Sequence, residues 1–309
     1  MLLLTGATGL VGSALLRRLV ADGEQVRCLV RDPRRLGAQR VRVQIALGDL
    51  TDPPSFRNAL RGVSTVVHLA ASIRDQPHGS IEELNGIATW RMVQAAERAD
   101  VERFVFFSAL DASTHHRARF FRAKALAEQA VEEACVDSIV FAPSIVYAPG
   151  DPWLTLLERL ALLPLMPVSG RGRALYQPIW AEDVADCVIA ALRASAGAAL
   201  TGPDVAAPGN GDGASHKRYE LAGPETLSHN DLLRTVLRSL GRSRPLVHVP
   251  TPIVSRSLRI VERLSGPSAF ATWDEAELME APMVSERGTA DVEALGVTPA
   301  RMAAVLGGG

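Results

Sequence analysis

The chain has 309 residues, 47% hydrophobic and 22% charged, which is enough to bury a full core and too apolar for a disordered chain. Its 33 Lys and Arg nearly cancel 34 Asp and Glu, so no global field draws in a polyanion, and nucleic acid is not expected as a partner. No apolar run approaches the ~18 residues of a membrane span, and the first strand already includes residue 2, so the expectation is a soluble protein, cytoplasmic or attached peripherally to a surface.

The apolar run Leu2-Leu3-Leu4 leads into Thr5-Gly6-Ala7-Thr8-Gly9-Leu10-Val11-Gly12 and then into an amphipathic segment, an order that reads strand, glycine turn, helix. Such a turn lets bare backbone approach a pyrophosphate, and the helix N-terminus supplies unpaired N–H groups and partial positive charge. Gly6 suits the tight turn, Gly9 the approach of phosphate and Gly12 the packing of helix on strand, although the spacing is G-x-x-G-x-x-G rather than G-x-G-x-x-G. Leu15, Leu16, Leu19 and Val20 form one helical face opposite Arg17 and Arg18, and Asp22-Gly23 ends the helix. Val26 to Val30 is a second strand that exits at Arg31-Asp32-Pro33. An acidic residue there grips the ribose hydroxyls of NAD and an arginine accommodates the 2′-phosphate of NADP. Arg31 comes first, so NADP(H) is favoured, and Asp32 keeps NAD(H) open.

Val41 to Leu47 reads as a third strand with Gly48-Asp49-Leu50 at its exit, where Asp49 either meets the adenine or starts a turn. A fourth strand, Thr65 to Leu69, closes on His68-Leu69-Ala70-Ala71, whose small residues let a cofactor lie against backbone; His68 is expected to be packed and hydrogen-bonded rather than a metal ligand. A long helix over Ile81 to Ala99 carries Asn85, Thr89 and Trp90, and Phe104 to Phe107 is a fifth strand ending in Ser108. A helix over Ala123 to Ala134 and a strand over Ser138 to Phe141 follow. This alternation predicts an α/β fold with a Rossmann-type doubly wound parallel sheet, whose ligands sit at the carboxyl ends of the strands. The glycine turn, Arg31, Asp49, Ala70 and Ser108 all fall at such ends. Cys28, Cys135 and Cys187 are odd in number and widely spaced, which reads as buried thiols in a reducing compartment, and no metal-ligand spacing is present.

Beyond Pro143-Ser144-Ile145-Val146-Tyr147 the pattern changes to an apolar helix near 153–163, then Gln177-Pro178-Ile179-Trp180 and a helix to Ala194 capped by Asp183. The Gly- and Ala-rich stretch 195–217 is the best candidate for a mobile loop. A strand Tyr219 to Leu221, a Ser228-capped helix to Leu240 and a strand Leu246 to Val249 follow. Ile253 to Leu264 reads as a basic amphipathic helix, which is either packed on the core or presented to an anionic membrane or a partner protein. Leu295 to Pro299 separates two further helices, and Gly307 to Gly309 is expected to fray. The expected division is a dinucleotide-binding domain over 1–197, with 143–178 contributing to a substrate cleft, and a smaller α+β C-terminal lobe over 198–309.

The chain resembles the extended, atypical short-chain dehydrogenase/reductases in TGATGLVG, VVHLAA, Asn85 with Thr89 and AAERA, FVFFSAL, FAPSIVYAPGD, QPIWAEDVA and YELAGPETLS. Within them it is most similar to the NAD(P)H-binding accessory subunit of respiratory complex I and its bacterial relatives, through VEALGVTPARMAAVL and the lack of a recognisable sugar-nucleotide insertion. The resemblance implies a cofactor site over Thr5, Gly6, Thr8, Gly9, Leu10, Val11 and Gly12, with Arg31, Asp49, Leu50, Leu69, Ala70, Ala71, Lys124, Pro143 and Ile145. It also implies a serine at the fifth-strand exit, a tyrosine, and a lysine four residues later as the reacting groups. Ser108 and Lys124 match, but the tyrosine position holds Phe120. A phenyl ring cannot exchange a proton with a carbonyl or an alcohol, and a positioned acid/base is worth about 10²–10⁴ in rate. His115, His116, Tyr147 and Lys124 itself are the substitutes by residue type. Three functions follow: a cofactor-stabilised accessory protein with impaired catalysis, an NADPH-dependent oxidoreductase, epimerase or dehydratase using Ser108 and Lys124, or an NADP(H) redox sensor.

Overall fold

A computed structural model of the chain describes residues 1–197, 214–250 and 277–307. Most of the expected loop 195–217, the expected basic helix 253–264 and the last two glycines lie outside the described residues. Six strands come first: β1 (Leu2–Thr5), β2 (Val26–Val30), β3 (Gln44–Leu47), β4 (Thr65–His68), β5 (Arg103–Phe107) and β6 (Asp137–Pro143). Four short ones follow, β7 (Val146–Tyr147), β8 (Met166–Ser169), β9 (Leu175–Tyr176) and β10 (Ile179–Trp180), before β11 (His216–Leu221). The main sheet has the order β11-β6-β5-β4-β1-β2-β3, every pair parallel. The strand order reverses between β1 and β4, which opens a crevice at their carboxyl ends.

Helices cover both faces, and this explains the continuous apolar runs of the inner strands. Leu2 and Leu4 pack into a core with α1 (Leu10–Ala21), while Leu3 points to the opposite core with Met92, Phe104 and Phe106. The β3 edge is short and mostly exposed: Val41 ends a tight helical stretch from Pro33 and is 81% exposed, so the strand does not begin there as the sequence suggested. After the short α2 (Pro53–Phe56), the expected helix over 81–99 is interrupted by a π turn, Glu83–Ile87, before α3 (Ala88–Glu97). The cause is Asn85, whose buried amide donates to the carbonyls of Ser72 and Ile81, both at 2.7 Å, and accepts the Ser72 N–H. These bonds draw the strand-exit loop into the helix.

Helix α4 spans Arg119–Glu132, so Phe120 and Phe121 lie inside it rather than before it. The imidazole of His116 anchors its start, Nδ1 accepting the N–H of the N-cap residue Ala118 at 2.9 Å. Of the cysteines, Cys28 and Cys187 are buried as expected, but Cys135 is exposed. Burial pushes the Cys28 thiol up to about 12, which leaves it unreactive.

The second lobe contains α5 (Pro152–Leu160), β12 (Leu227–Ser228), α7 (His229–Ser239), β13 (Leu246–Val249) and α9 (Met302–Gly307), whereas α6 (Ala181–Gly197) and α8 (Ala290–Ala294) pack on the main sheet. Strand β13 pairs parallel to β8, and β12 antiparallel to β9. Tyr147, Leu154, Val168, Tyr176, Leu232 and Val236 belong to its core. Ser228 caps α7 as expected, accepting the Asp231 N–H at 3.1 Å. Asp183 is not a cap: α6 begins at Ala181, and the Asp183 carboxylate accepts the Ala300 N–H at 2.8 Å. Strand β11 starts at His216, three residues before the expected Tyr219, and runs beside β6 in the main sheet, while Val292 and Leu295 pack into that sheet's core. Among the described residues, no helix is long and apolar enough to cross a membrane.

Candidate functional site

At the β1–β4 crevice the backbone itself is the wall. Gly6 has φ +71°, and a Cβ there would come 2.6 Å from the Ala70 nitrogen and 2.7 Å from the Leu69 carbonyl carbon. A Cβ on Gly12 would lie 2.1 Å from the Gly6 oxygen. Three chain segments thus meet at a distance that no side chain permits, and the N-terminus of α1 faces the gap. Its N-cap, Gly9, offers no side chain to the first N–H groups, which fits a pyrophosphate. Thr8, Leu10, Val11, Leu69 and Ala70 are partly exposed around this cradle, and Ala71 is exposed.

A directed hydrogen-bond chain braces the cradle from below. The Ala70 N–H donates to the Thr5 hydroxyl at 3.3 Å, and that hydroxyl lies 2.9 Å from His68 Nδ1. His68 Nε2 is 3.2 Å from the Thr89 hydroxyl, which donates to the Asn85 carbonyl at 2.6 Å. With the Thr89 proton committed, His68 must donate from Nε2 and accept at Nδ1, so a neutral ring fits every partner. Burial, aided by the Lys124 charge, holds His68 near pKa 3. His68 is therefore packed and hydrogen-bonded, as its sequence context suggested.

At the β2 exit, Arg31 is exposed and Asp32 spends its carboxylate on the Arg34 N–H at 3.0 Å. Asp49 takes the turn-forming role, accepting both the N–H and the hydroxyl of Thr51 at 2.9 Å. Burial acts to raise its pKa, but the Thr51 bonds and the nearby Arg31 charge hold it below the usual range. Leu50 is half-buried beside it. Pro143 ends β6, and the Ile145 carbonyl accepts the Ile179 N–H at 3.0 Å.

Ser108, Phe120 and Lys124 converge at the β5 exit. Lys124 Nζ donates to the Phe107 carbonyl at 2.5 Å and lies 5.7 Å from the Phe120 ring centre and 4.9 Å from that of Phe106. Lys124 is only 3% exposed, and burial lowers it to about 7 despite the opposing influence of Glu128. Glu128, one turn further along α4, is itself raised, first by burial. The Ser108 hydroxyl makes no hydrogen bond of ordinary geometry, although it sits close enough to bias the Glu128 carboxyl downward. Sequence reasoning missed Glu128; the signal was its i+4 spacing from Lys124 on a helix face that otherwise carries Phe120, Phe121, Ala127 and Val131.

None of the other substitutes by residue type stands where Phe120 does. Both ring nitrogens of His116 are taken, Nδ1 by Ala118 and Nε2 by the Asp111 carboxylate at 3.0 Å. His115 is exposed in the loop before α4. Tyr147 is buried in the second lobe, where burial and the charges of Asp183 and Glu225 raise its pKa rather than lower it.

Lys124 also makes stability depend on pH. Its folded pKa of about 7 lies below the usual 10.5, so between these values the unfolded state binds the extra proton. The penalty is full below pH 7 and is relieved as the pH rises toward 10. Lys124→Met is expected to stabilise the protein by about 1–3 kcal/mol at pH 6, net of the lost bond to Phe107, and by less at pH 10. Urea titrations at the two pH values check this; an equal gain at both would show that charge burial is not the cause.

Comparison with known proteins extends this geometry. A family model described as NAD(P)H-binding matches residues 6–152. The mitochondrial NADH dehydrogenase (ubiquinone) 1 alpha subcomplex subunit 9 of Arabidopsis thaliana is 28% identical over 260 residues, covering 80% of this chain and 60% of that protein. The chain has an extended, atypical short-chain dehydrogenase/reductase-like NAD(P)-binding fold. This reductase-like fold is related to the complex I accessory subunit family, although the chain spans only 60% of the Arabidopsis protein's length. A ceramide reductase of Caulobacter vibrioides is 26% identical over 282 residues, covering 89% of this chain and 83% of that one. The solved UDP-glucose 4-epimerase of Thermus thermophilus, in complex with NAD, shares the reductase-like fold with a TM-score of 0.69 at 18% identity, over 99% of this chain and 96% of that one.

Proposed function

We propose that this NAD(P)-binding protein prefers NADP(H), holds it as a structural cofactor, and serves as an accessory component of a larger protein assembly rather than as a turnover enzyme. The observation that carries this reading is Phe120, whose ring faces Lys124 one helical turn away, where a proton donor would have to stand. The cofactor cradle does not involve Phe120, so binding survives its presence. When bound, the dinucleotide supplies a hydride donor or acceptor. Within the chain, the turn at Gly6 and Gly9 and the N-terminus of α1 would hold its phosphates with Gly12 keeping the helix against the strand, Arg31 would favour the 2′-phosphate, and Ala70 and Ala71 would flank it, with Pro143 and Ile145 on the far side. Its relation to the NADH dehydrogenase subunits supports an assembly role, at or near a membrane surface or in the cytoplasm.

Binding to the folded state alone stabilises by RT ln(1+[L]/Kd), about 2.7 kcal/mol at a hundredfold excess over Kd. NADPH is therefore expected to raise the melting temperature more than NADH does, without hydride transfer to any member of a broad carbonyl panel. Differential scanning fluorimetry and absorbance at the nicotinamide band read the two. Steady turnover, or a larger shift with NADH, would overturn the corresponding half of the proposal.

A second reading, an NADPH-dependent reductase, epimerase or dehydratase, rests on Lys124, whose amine near pKa 7 is able to give up a proton at neutral pH. The Caulobacter ceramide reductase points the same way. Under this reading, Ser108→Ala and Lys124→Ala each abolish a measured activity.

A further inference from the structure

A cavity of about 610 Å³ lies in the second lobe and has Arg117, Ser169, Arg171, Arg173, His248 and Glu280 in its wall. None of its lining residues belongs to the glycine cradle or to the strand exits that flank it. Its charges do not cancel. Arg117 is neutralised by Glu280 at 2.9 Å, whereas the guanidinium groups of Arg171 and Arg173 meet no carboxylate among the described residues. Two guanidinium groups without a carboxylate partner among the described residues therefore line one cavity, two residues apart on a single turn.

That turn is rigid. Gly170 has φ +65° and Gly172 φ +62°, conformations that place the two arginines on a tight bend. Asn230, at the start of α7, locks it: its side-chain amide donates to the Arg171 carbonyl at 3.3 Å and its backbone N–H to the Gly172 carbonyl at 3.1 Å. The side-chain Oδ1 of Asn230 is 3.0 Å from His248 Nε2, which donates to it. A Cβ on residue 172 would fall 2.1 Å from that oxygen, so glycine is required for the lock to close. The arginines ride on a backbone whose ordering cost is met on folding, not on binding. Ser169 adds a hydroxyl without a hydrogen-bond partner among the described residues, and Met279 and Pro250 supply an apolar wall.

We propose that this cavity is a second anion site, separate from the dinucleotide crevice, that takes the phosphate monoester of a small metabolite. Two guanidinium forks match a group carrying about −1.5 to −2 charges and three acceptor oxygens at pH 7 better than a carboxylate with one charge. The volume suits a metabolite rather than a free ion, and the apolar wall receives its carbon skeleton.

Isothermal titration calorimetry on the full chain, with and without saturating NADPH, tests this with glycerol 3-phosphate as probe. Saturable one-site binding is expected in both states, with none for glycerol and at least about tenfold weaker binding for the dicarboxylate succinate. Vesicles of phosphatidic acid are expected not to compete, because the site is built for a free monoester. The double variant Arg171→Gln/Arg173→Gln is expected to weaken glycerol 3-phosphate by about tenfold or more and to leave NADPH affinity unchanged. Asn230→Ala, which keeps both charges and releases the turn, is expected to weaken it several-fold. No saturable binding, equal binding by the double variant, equal affinity for succinate, capture by the vesicles, or displacement by NADPH would each overturn the assignment. Failure of NADPH itself to bind would leave it standing.

Discussion

Gly12→Val is expected to destabilise the protein by about 3 kcal/mol or more and to abolish the NADPH-dependent rise in melting temperature. The Cβ of residue 12 would meet the Gly6 oxygen at 2.1 Å and the Gly6 carbonyl carbon at 2.8 Å. Both are backbone atoms of the strand exit and cannot rotate aside, so α1 would have to slide away from β1 and carry its unpaired N–H groups out of reach of the phosphates. Gly23→Ala is the control. Its φ of +78° strains an alanine, but nothing lies within 4 Å, so the cost is about 1 kcal/mol and binding is retained. Urea unfolding with NADPH fluorescence separates the two variants; a Gly12→Val protein that binds as the parent does would remove the glycine cradle from the cofactor site.

Phe120→Tyr is expected to act in the opposite direction, creating activity. The substitution adds one hydroxyl to a half-buried ring already facing Lys124 across one helical turn. The stability change is expected to stay within about 1 kcal/mol. NADPH oxidation with a panel of aldehydes and ketones is expected to rise about 10²-fold or more over the parent, the typical worth of a positioned acid. Adding Lys124→Met to Phe120→Tyr is expected to remove the gain, because the phenol then loses the neighbouring amine that lowers its pKa. Rates for the parent equal to those of Phe120→Tyr would mean that another group already donates the proton.

What could be read from the residues tracks how local the controlling physics is. Strands β1 and β2 stand where the apolar runs place them, because burial on two faces writes itself into consecutive residues. The start of α4 did not show: Arg119-Phe120-Phe121-Arg122 has no cap signal, and its anchor is the ring of His116 two residues ahead of Ala118. The π turn at Glu83–Ile87 was equally hidden, since it depends on Asn85 reaching Ser72, thirteen residues back in the chain. Asp183 has the type and position of a cap, and only the distant Ala300 N–H gives it other work. At the site, the glycine turn was legible from spacing and the Phe120–Lys124 pairing from the family resemblance, whereas the Arg171–Arg173 turn was not. Its meaning lies in Asn230 and His248, which come from other elements.

Strand β11 has a consequence for how the molecule is made. It pairs with β6 from His216 against Ser138 to Leu221 against Pro143, and Tyr219 stacks on Phe141 with ring centres 5.7 Å apart. A ribosome that has released only the first 197 residues has produced a sheet whose outermost strand offers bare N–H and C=O groups to any passing edge. Synthesis of the amino-terminal portion by itself should yield aggregates, and co-expression of 198–309 from a separate message should recover soluble material by strand complementation.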